Sequence, residues 1–261
     1  MKPTLWVSLF VAASTLAFAA PARAQSCQHD GMTATVSTTG VAVTLSWSNG
    51  KLTVNGTACG TTAPMDIEVL GASGNDRITM TANIPVTVPV TIDLSAGGKD
   101  QVSMSGTANP DTIICSAAGV DRDQDTVDDV RFIPTVPAIF MYSGKAGDDT
   151  ISCGDLPARQ MLNGEGGNDI IIGGPLADTL NGNAGVDRLV GNDGNDSLIG
   201  GPDSDLERGG PGNDTFMQSN TVDGADYLDG EGGKDTLSYS SRMTGPRAEY
   251  YARGDASTLH A

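Results

Sequence analysis

Aspartates recur every nine residues through the C-terminal part of the chain, at positions 169, 178, 187, 196, 205 and 214. A break of twelve leads to Asp226, and a further nine to Asp235. Each unit reads Gly-x-x-Gly-x-Asp-x-apolar-x. Gly164-Glu165-Gly166-Gly167-Asn168-Asp169-Ile170-Ile171-Ile172 and Gly191-Asn192-Asp193-Gly194-Asn195-Asp196-Ser197-Leu198-Ile199 are good copies. An arbitrary acidic loop would not hold such a period. A short unit that cannot bury an apolar face alone must stack on its neighbours. The glycines supply positive φ and let backbone approach closely. The residues after each Asp make a short strand whose middle side chain points inward. This predicts an interior of Ile171, Leu180, Leu189, Leu198, Phe216, Leu228 and Leu237.

Two units form one coil of eighteen residues with a turn on either side. Aspartates eighteen apart then lie one rung apart, about 4.8 Å along the stack. One ladder holds Asp169, Asp187 and Asp205, and the other Asp178, Asp196 and Asp214. Carboxylates at that separation repel unless a cation lies between them. A carboxylate together with backbone carbonyls makes a hard, all-oxygen site, which suits Ca²⁺ better than a transition metal.

Over residues 164–238 these units resemble the haemolysin-type, or RTX, calcium-binding repeat. The resemblance implies an all-β fold: a parallel β-roll, or β-solenoid, holding several Ca²⁺ ions between successive coils. Position by position, the implied carboxylate ligands are Asp169, Asp178, Asp187, Asp196, Asp205, Asp214, Asp226 and Asp235. Backbone carbonyls of Glu165, Gly167, Asn183, Gly185, Asn192 and Gly194 complete the implied set. Three departures stand out. Leu176 and Asp203 replace the second key glycine of their turns. Glu207 falls at an inward apolar position, which predicts a bulge or shift in the unit at 200–208.

The pattern continues N-terminally in degenerate form, as strand, glycine turn, Asp and strand. Gly74-Asn75-Asp76-Arg77-Ile78, Gly98-Lys99-Asp100-Gln101-Val102 and Gly147-Asp148-Asp149-Thr150-Ile151 share it, and Asn109-Pro110-Asp111-Thr112-Ile113 is a weaker copy. Asp76, Asp100 and Asp149 therefore join the candidate metal ligands. Upstream, Val41, Val43, Leu45 and Trp47 alternate with small or polar residues, and Asn49-Gly50 offers a hairpin turn into Leu52 and Val54. The expected organisation is a signal peptide at 1–24 and an N-terminal β-hairpin cap at 25–65. An irregular β-solenoid follows at 66–160, then a regular β-roll at 161–238 and a tail at 239–261. The run Asp121–Asp129 has acids at alternate places but lacks the glycine and glutamate of an EF-hand loop. A solvated insertion is expected there.

Lys2, the apolar run Leu5–Ala20 and Ala22-Arg23-Ala24 form a signal-peptide pattern, with cleavage predicted after Ala24. The run is too short for a permanent span. Removing residues 1–24 leaves 13 basic against 32 acidic side chains, a net charge of −19. Nucleic acid and anionic membrane, which need a positive footprint, are poor partners for such a chain. In an oxidising compartment the four cysteines favour two disulfides. The preferred pairs are Cys27 with Cys59 and Cys115 with Cys153, since the last two each lie four residues after a register Asp.

Catalytic signatures are weak. The chain has no His-Glu-x-x-His and no Gly-x-Ser-x-Gly, and its two histidines, His29 and His260, stand near opposite ends. The reading is an exported calcium-binding protein, not an enzyme, that folds when its repeats bind ions. The alternative is a surface adhesin or structural rod that uses Ca²⁺ only for rigidity and meets a cell-surface or polysaccharide partner. An RTX-linked hydrolase is a third reading.

Overall fold

The computed structural model describes residues 27–30, 32–38, 42–71, 74–94, 98–123, 130–133, 136–218, 224–239, 249–250 and 258–260. The predicted signal peptide and most of the predicted tail lie outside the described residues. Those described form strands and turns with no helix, and so none long and apolar enough to cross a membrane.

Two sheets of thirteen and twelve strands face each other, and the chain alternates between them once per half-coil. Ile170–Ile172, Arg188–Val190, Leu206–Pro211 and Tyr227–Gly232 run in parallel in one sheet. Arg159–Gly166, Thr179–Ala184, Ser197–Ile199, Thr215–Gln218 and Thr236–Tyr239 do so in the other. Three-residue strands bury only their middle side chain, so the interior is two stacked rows. Ile151, Ile171 and Leu189 are in register on one side, and Leu162, Leu180, Leu198, Phe216 and Leu237 on the other. All are essentially inaccessible. Removing each from water stabilises the stack by about 2 kcal/mol relative to exposure. No single coil has enough of them to stand alone.

Parallel pairing begins at Thr33–Ser37, which lies against Asp66–Leu70, and Ala42–Ser48 pairs with Arg77–Met80. The hairpin Ala42–Ser48 with Lys51–Val54 is an excursion from this first coil. Its turn uses Asn49 and Gly50 at φ of 51° and 72°, the positive pair that fits the strand twist. Cys27 and Cys59 are disulfide-bonded across this end.

The irregular middle absorbs its extra length in one sheet. Thr112–Cys115, Gly119–Asp121 and Val130–Ile133 form a three-strand meander between Val90–Asp93 and Thr150–Ser152. The opposite sheet passes directly from Gln101–Ser105 to Ile139–Ala146. Phe132 of the meander meets Phe140 of the facing sheet edge-on, with ring centroids 6.3 Å apart. Ile114 is in register with Ser152, so Cys115 and Cys153 fall side by side on neighbouring strands and are joined by a disulfide, Cα to Cα 4.4 Å. Both disulfides are those preferred from the sequence. Of the acidic run at 121–129, Asp121 is buried and residues 124–129 lie outside the described residues.

Glu207 requires a correction. No bulge or shift relieves it: Glu207 is in register with Leu189 and Leu228 and is fully buried. The reason is a partner across the interior. Gln218 Nε2 donates to Glu207 Oε1 at 2.8 Å. Burial pushes the Glu207 carboxyl up to about 8, so it sits in the core as a neutral acid.

Candidate metal centre

Every repeat ends its turn with the aspartate that opens the next strand, so stacking the strands stacks the carboxylates. On one edge of the roll, Asp111, Asp149, Asp169, Asp187, Asp205 and Asp226 form a continuous ladder. The N–H of each donates to Oδ1 of the next, at 2.7 to 3.0 Å. On the other edge Gln160, Asp178, Asp196, Asp214 and Asp235 do the same. The twelve-residue break and the longer insertions do not interrupt either ladder, because register follows the rungs and not the residue count. Asp76 and Asp100 form a separate pair, the Asp76 N–H donating to Asp100 Oδ1 at 2.9 Å. Asp100 is two residues out of register with Gln160 and Asp178, because Gln101 aligns with Ile139 and Arg159. The structure thus brings nine predicted aspartates, Asp149 among them, into two ladders and leaves Asp76 and Asp100 outside them.

In most of the ladder carboxylates Oδ1 accepts the N–H of the rung below and Oδ2 is bare. Oδ2 of Asp149, Asp169, Asp187 and Asp226 on one edge, and of Asp196 and Asp214 on the other, is buried without a hydrogen-bond partner. A buried carboxylate oxygen left without donor or cation is costly. Burial accordingly pushes Asp149, Asp187 and Asp214 up to about 6 and Asp196 to about 7, against the backbone N–H bonds that pull them down. Asp169, Asp226 and Asp235 are raised for the same reason.

Except at Asp226, the bare oxygens face a cradle of glycine backbone. A Cβ on Gly182 would stand 2.1 Å from Asp187 Oδ2 and 2.7 Å from the Gly200 carbonyl oxygen. One on Gly191 would meet Asp196 Oδ2 at 2.3 Å and the Gly209 oxygen at 2.6 Å. Only glycine leaves this space open, and what borders it is oxygen. The turns stack as tightly: a Cβ on Gly185 would lie 1.9 Å from the Gly167 carbonyl oxygen, and one on Gly212 1.5 Å from that of Gly194. Glu165, Asn183 and Asn192 hold φ near +70° in these turns, as Gly167, Gly185 and Gly194 hold φ near +130°. Among the described residues no three His, Cys, Asp or Glu side chains converge as a metal group. Any cation held here must therefore take most of its ligands from backbone carbonyls. A large, flexible, all-oxygen shell of this kind suits Ca²⁺. The residues present fit that ion.

Sequence reasoning missed a second ladder. Asn168 N–H donates to Asp148 Oδ1, Val186 N–H to Asn168 Oδ1, Asn213 N–H to Asn195 Oδ1 and Lys234 N–H to Asn213 Oδ1, at 2.7 to 2.8 Å. These bonds run from upper rung to lower, opposite in sense to the aspartate ladder, so the four intervals they span are tied from both sides. Its signal was the Asn or Asp directly before the register aspartate at 75, 148, 168, 195 and 213. Gln160 was also missed; its only mark is a place eighteen residues before Asp178.

Stacked glycine turns, an apolar two-row interior and paired carboxylate ladders define a parallel β-roll with an oxygen-lined edge on either side. The family model for the RTX calcium-binding nonapeptide repeat matches at 161–180, 181–216 and 222–240. These stretches are thus haemolysin-type RTX repeats, and calcium is the ion that such repeats bind. No curated protein and no solved structure matches the chain.

Proposed function

We propose that this is an exported calcium-binding protein whose roll folds as Ca²⁺ fills the two edges. The proposed ligands are the carboxylates of Asp149, Asp169, Asp187, Asp205 and Asp226 on one edge and Asp196, Asp214 and Asp235 on the other. Carbonyls of Glu165, Gly167, Asn183, Gly185, Asn192 and Gly194 and their equivalents complete them. The observation that supports this most is the row of buried Oδ2 atoms without partners at Asp149, Asp169, Asp187, Asp196 and Asp214, each facing glycine backbone. A bound ion neutralises these carboxylates and cross-links adjacent coils.

Coupling of binding to folding follows from the charge. With a formal net charge of −17 over the whole chain, the metal-free repeats repel one another, and ion affinity appears as stability. Export fits the signal-peptide pattern at 1–24 and the two disulfides. Such a chain would cross the membrane unfolded and order outside, where calcium is plentiful.

Far-UV circular dichroism of the chain beginning at Gln25, titrated with Ca²⁺ against a Mg²⁺ control, tests the reading. The expected result is a cooperative gain of β signal near about 10⁻⁴–10⁻³ M Ca²⁺, absent with Mg²⁺. A fully folded spectrum in chelator, unchanged by Ca²⁺, would overturn the coupling.

A further inference from the structure

Two turns in the stack differ from seven others. The turns at 144–148, 164–168, 182–186, 191–195, 200–204, 209–213 and 230–234 hold positive φ at both their second and fourth residues, including Asp203 at 87° and Lys145 at 92°. At 106–110 and 173–177 neither residue does: Thr107, Asn109, Gly174 and Leu176 all stay out of the left-handed region. Leu176 thus changes its turn where Asp203 does not.

The same two turns are the ones that close their own carboxylate. Thr107 N–H donates to Asp111 Oδ2 at 2.6 Å, and Gly174 N–H to Asp178 Oδ2 at 2.7 Å. From the next rung upward, at Asp149 and Asp196, Oδ2 has no partner. The surrounding space is filled as well. Below Gly174, the Gln160 side-chain amide donates to the carbonyls of Cys153 and Leu156 at 2.9 and 3.0 Å. Above it, Asn192 Nδ2 donates to the Gly173 carbonyl at 2.7 Å. A Cβ on Gly106 would stand 2.6 Å from the Tyr142 hydroxyl.

We infer that the turns at 106–110 and 173–177 are metal-free starter rungs, one for each ladder. In them the chain's own N–H groups stand where a cation stands higher in the roll. A backbone N–H and a cation are alternative ways to satisfy the same carboxylate oxygen. Asp178 is then a structural acceptor and not a ligand, and ion binding starts at Asp149 on one edge and Asp196 on the other. The Cys115–Cys153 disulfide lies between the two starters, because Cys115 ends the strand opened after Asp111 and Cys153 opens the turn closed by Gln160. The starters form a preordered edge on which calcium-loaded coils add toward the C-terminus, as expected of a stack with nearest-neighbour coupling. This inference rests on the calcium reading of the roll and assigns the ions their first positions.

Hydrogen exchange of the oxidised wild-type chain, read residue by residue in chelator and in saturating Ca²⁺, tests it without substitution. The Thr107 and Gly174 amides should be protected in both conditions, and those of Gly194 and Gly212 only with calcium, a contrast of about tenfold or more in chelator. Equal exchange at Gly174 and Gly194 in chelator overturns the inference. Bound ions are then counted by equilibrium dialysis. Asp178→Asn should keep the wild-type count, and Asp196→Asn should lose at least one ion. Loss of an ion by Asp178→Asn equally overturns it. A wild-type chain that binds no Ca²⁺ defeats the calcium reading, and with it the assignment of first ion positions; protection at Thr107 and Gly174 is seen separately.

Discussion

Gln218 Nε2 donates to Glu207 Oε1 across the interior of the roll, and the other oxygen of that buried carboxyl, Oε2, has no partner. Glu207 takes the place of a leucine in the row between Leu189 and Leu228. Its folded value, about 8, lies above its ordinary 4.5, so the folded state holds the proton more tightly than the unfolded one. The stability linked to this proton is fully present below pH 4.5 and is lost by about pH 8. Glu207→Gln removes the dependence and keeps an amide partner for Gln218. Chemical denaturation in saturating Ca²⁺ should show the variant more stable by roughly 1–3 kcal/mol at pH 8 and little changed at pH 5.

The proposed ligands should be separable from the hydrogen bonds that position them. Asp187→Asn retains an oxygen to accept the Asp169 N–H, now at 2.7 Å, while removing the charge beside the glycine cradle. Calorimetric titration should show about a tenfold or greater loss of calcium affinity, near 1.4 kcal/mol. A far-UV spectrum in saturating Ca²⁺ close to that of the wild type confirms that the rung still forms.

Acid should act in opposite directions on the apo and loaded forms. Without metal, the raised values of Asp149, Asp187, Asp214 and Asp196 mean that protons favour the folded state. That contribution is fully present below the ordinary value of 3.8 and disappears as pH rises through about 6 to 7. With metal, the same protons compete for the carboxylates. Lowering pH from 7.5 to 5.5 should therefore raise the far-UV β signal of the chain in chelator and raise the Ca²⁺ concentration needed for half-saturation.

Turn stacking tolerates no side chain at its tightest points. A Cβ on Gly212 would fall 1.5 Å from the Gly194 carbonyl oxygen, at a backbone φ of 158°. Gly212→Ala should cost about 2–4 kcal/mol in saturating Ca²⁺. Gly50→Ala, where a Cβ meets nothing within 4 Å, bears only the strain of its positive φ and should cost about 1 kcal/mol. Denaturant midpoints of the two variants compare these costs directly.

The Cys115–Cys153 bridge closes a separation of 38 residues that holds the whole meander. Replacing both cysteines with serine should lower stability by about 2–4 kcal/mol. The loss should be present in chelator as well as in calcium, because the bridge ties the Asp111 rung to the Asp149 rung at the base of the proposed ion ladder.

The nine-residue period alone determined the coil, the inward apolar rows and the two aspartate ladders, because every unit makes the same local choice of turn, carboxylate and strand. The Cys115–Cys153 disulfide was legible for the same reason, as equal offsets from register aspartates on neighbouring rungs. What repeats cannot encode is decided by contacts between coils. The meander at 112–133 enters one sheet and not the other, and only pairing on both its flanks shows this. Glu207 stays in register because Gln218, eleven residues away in the facing sheet, answers it. Asp178 and Asp196 are identical as letters in the same frame. They differ because Gly174 N–H donates to Asp178 Oδ2 above the Gln160 amide, whereas Asp196 Oδ2 has no partner.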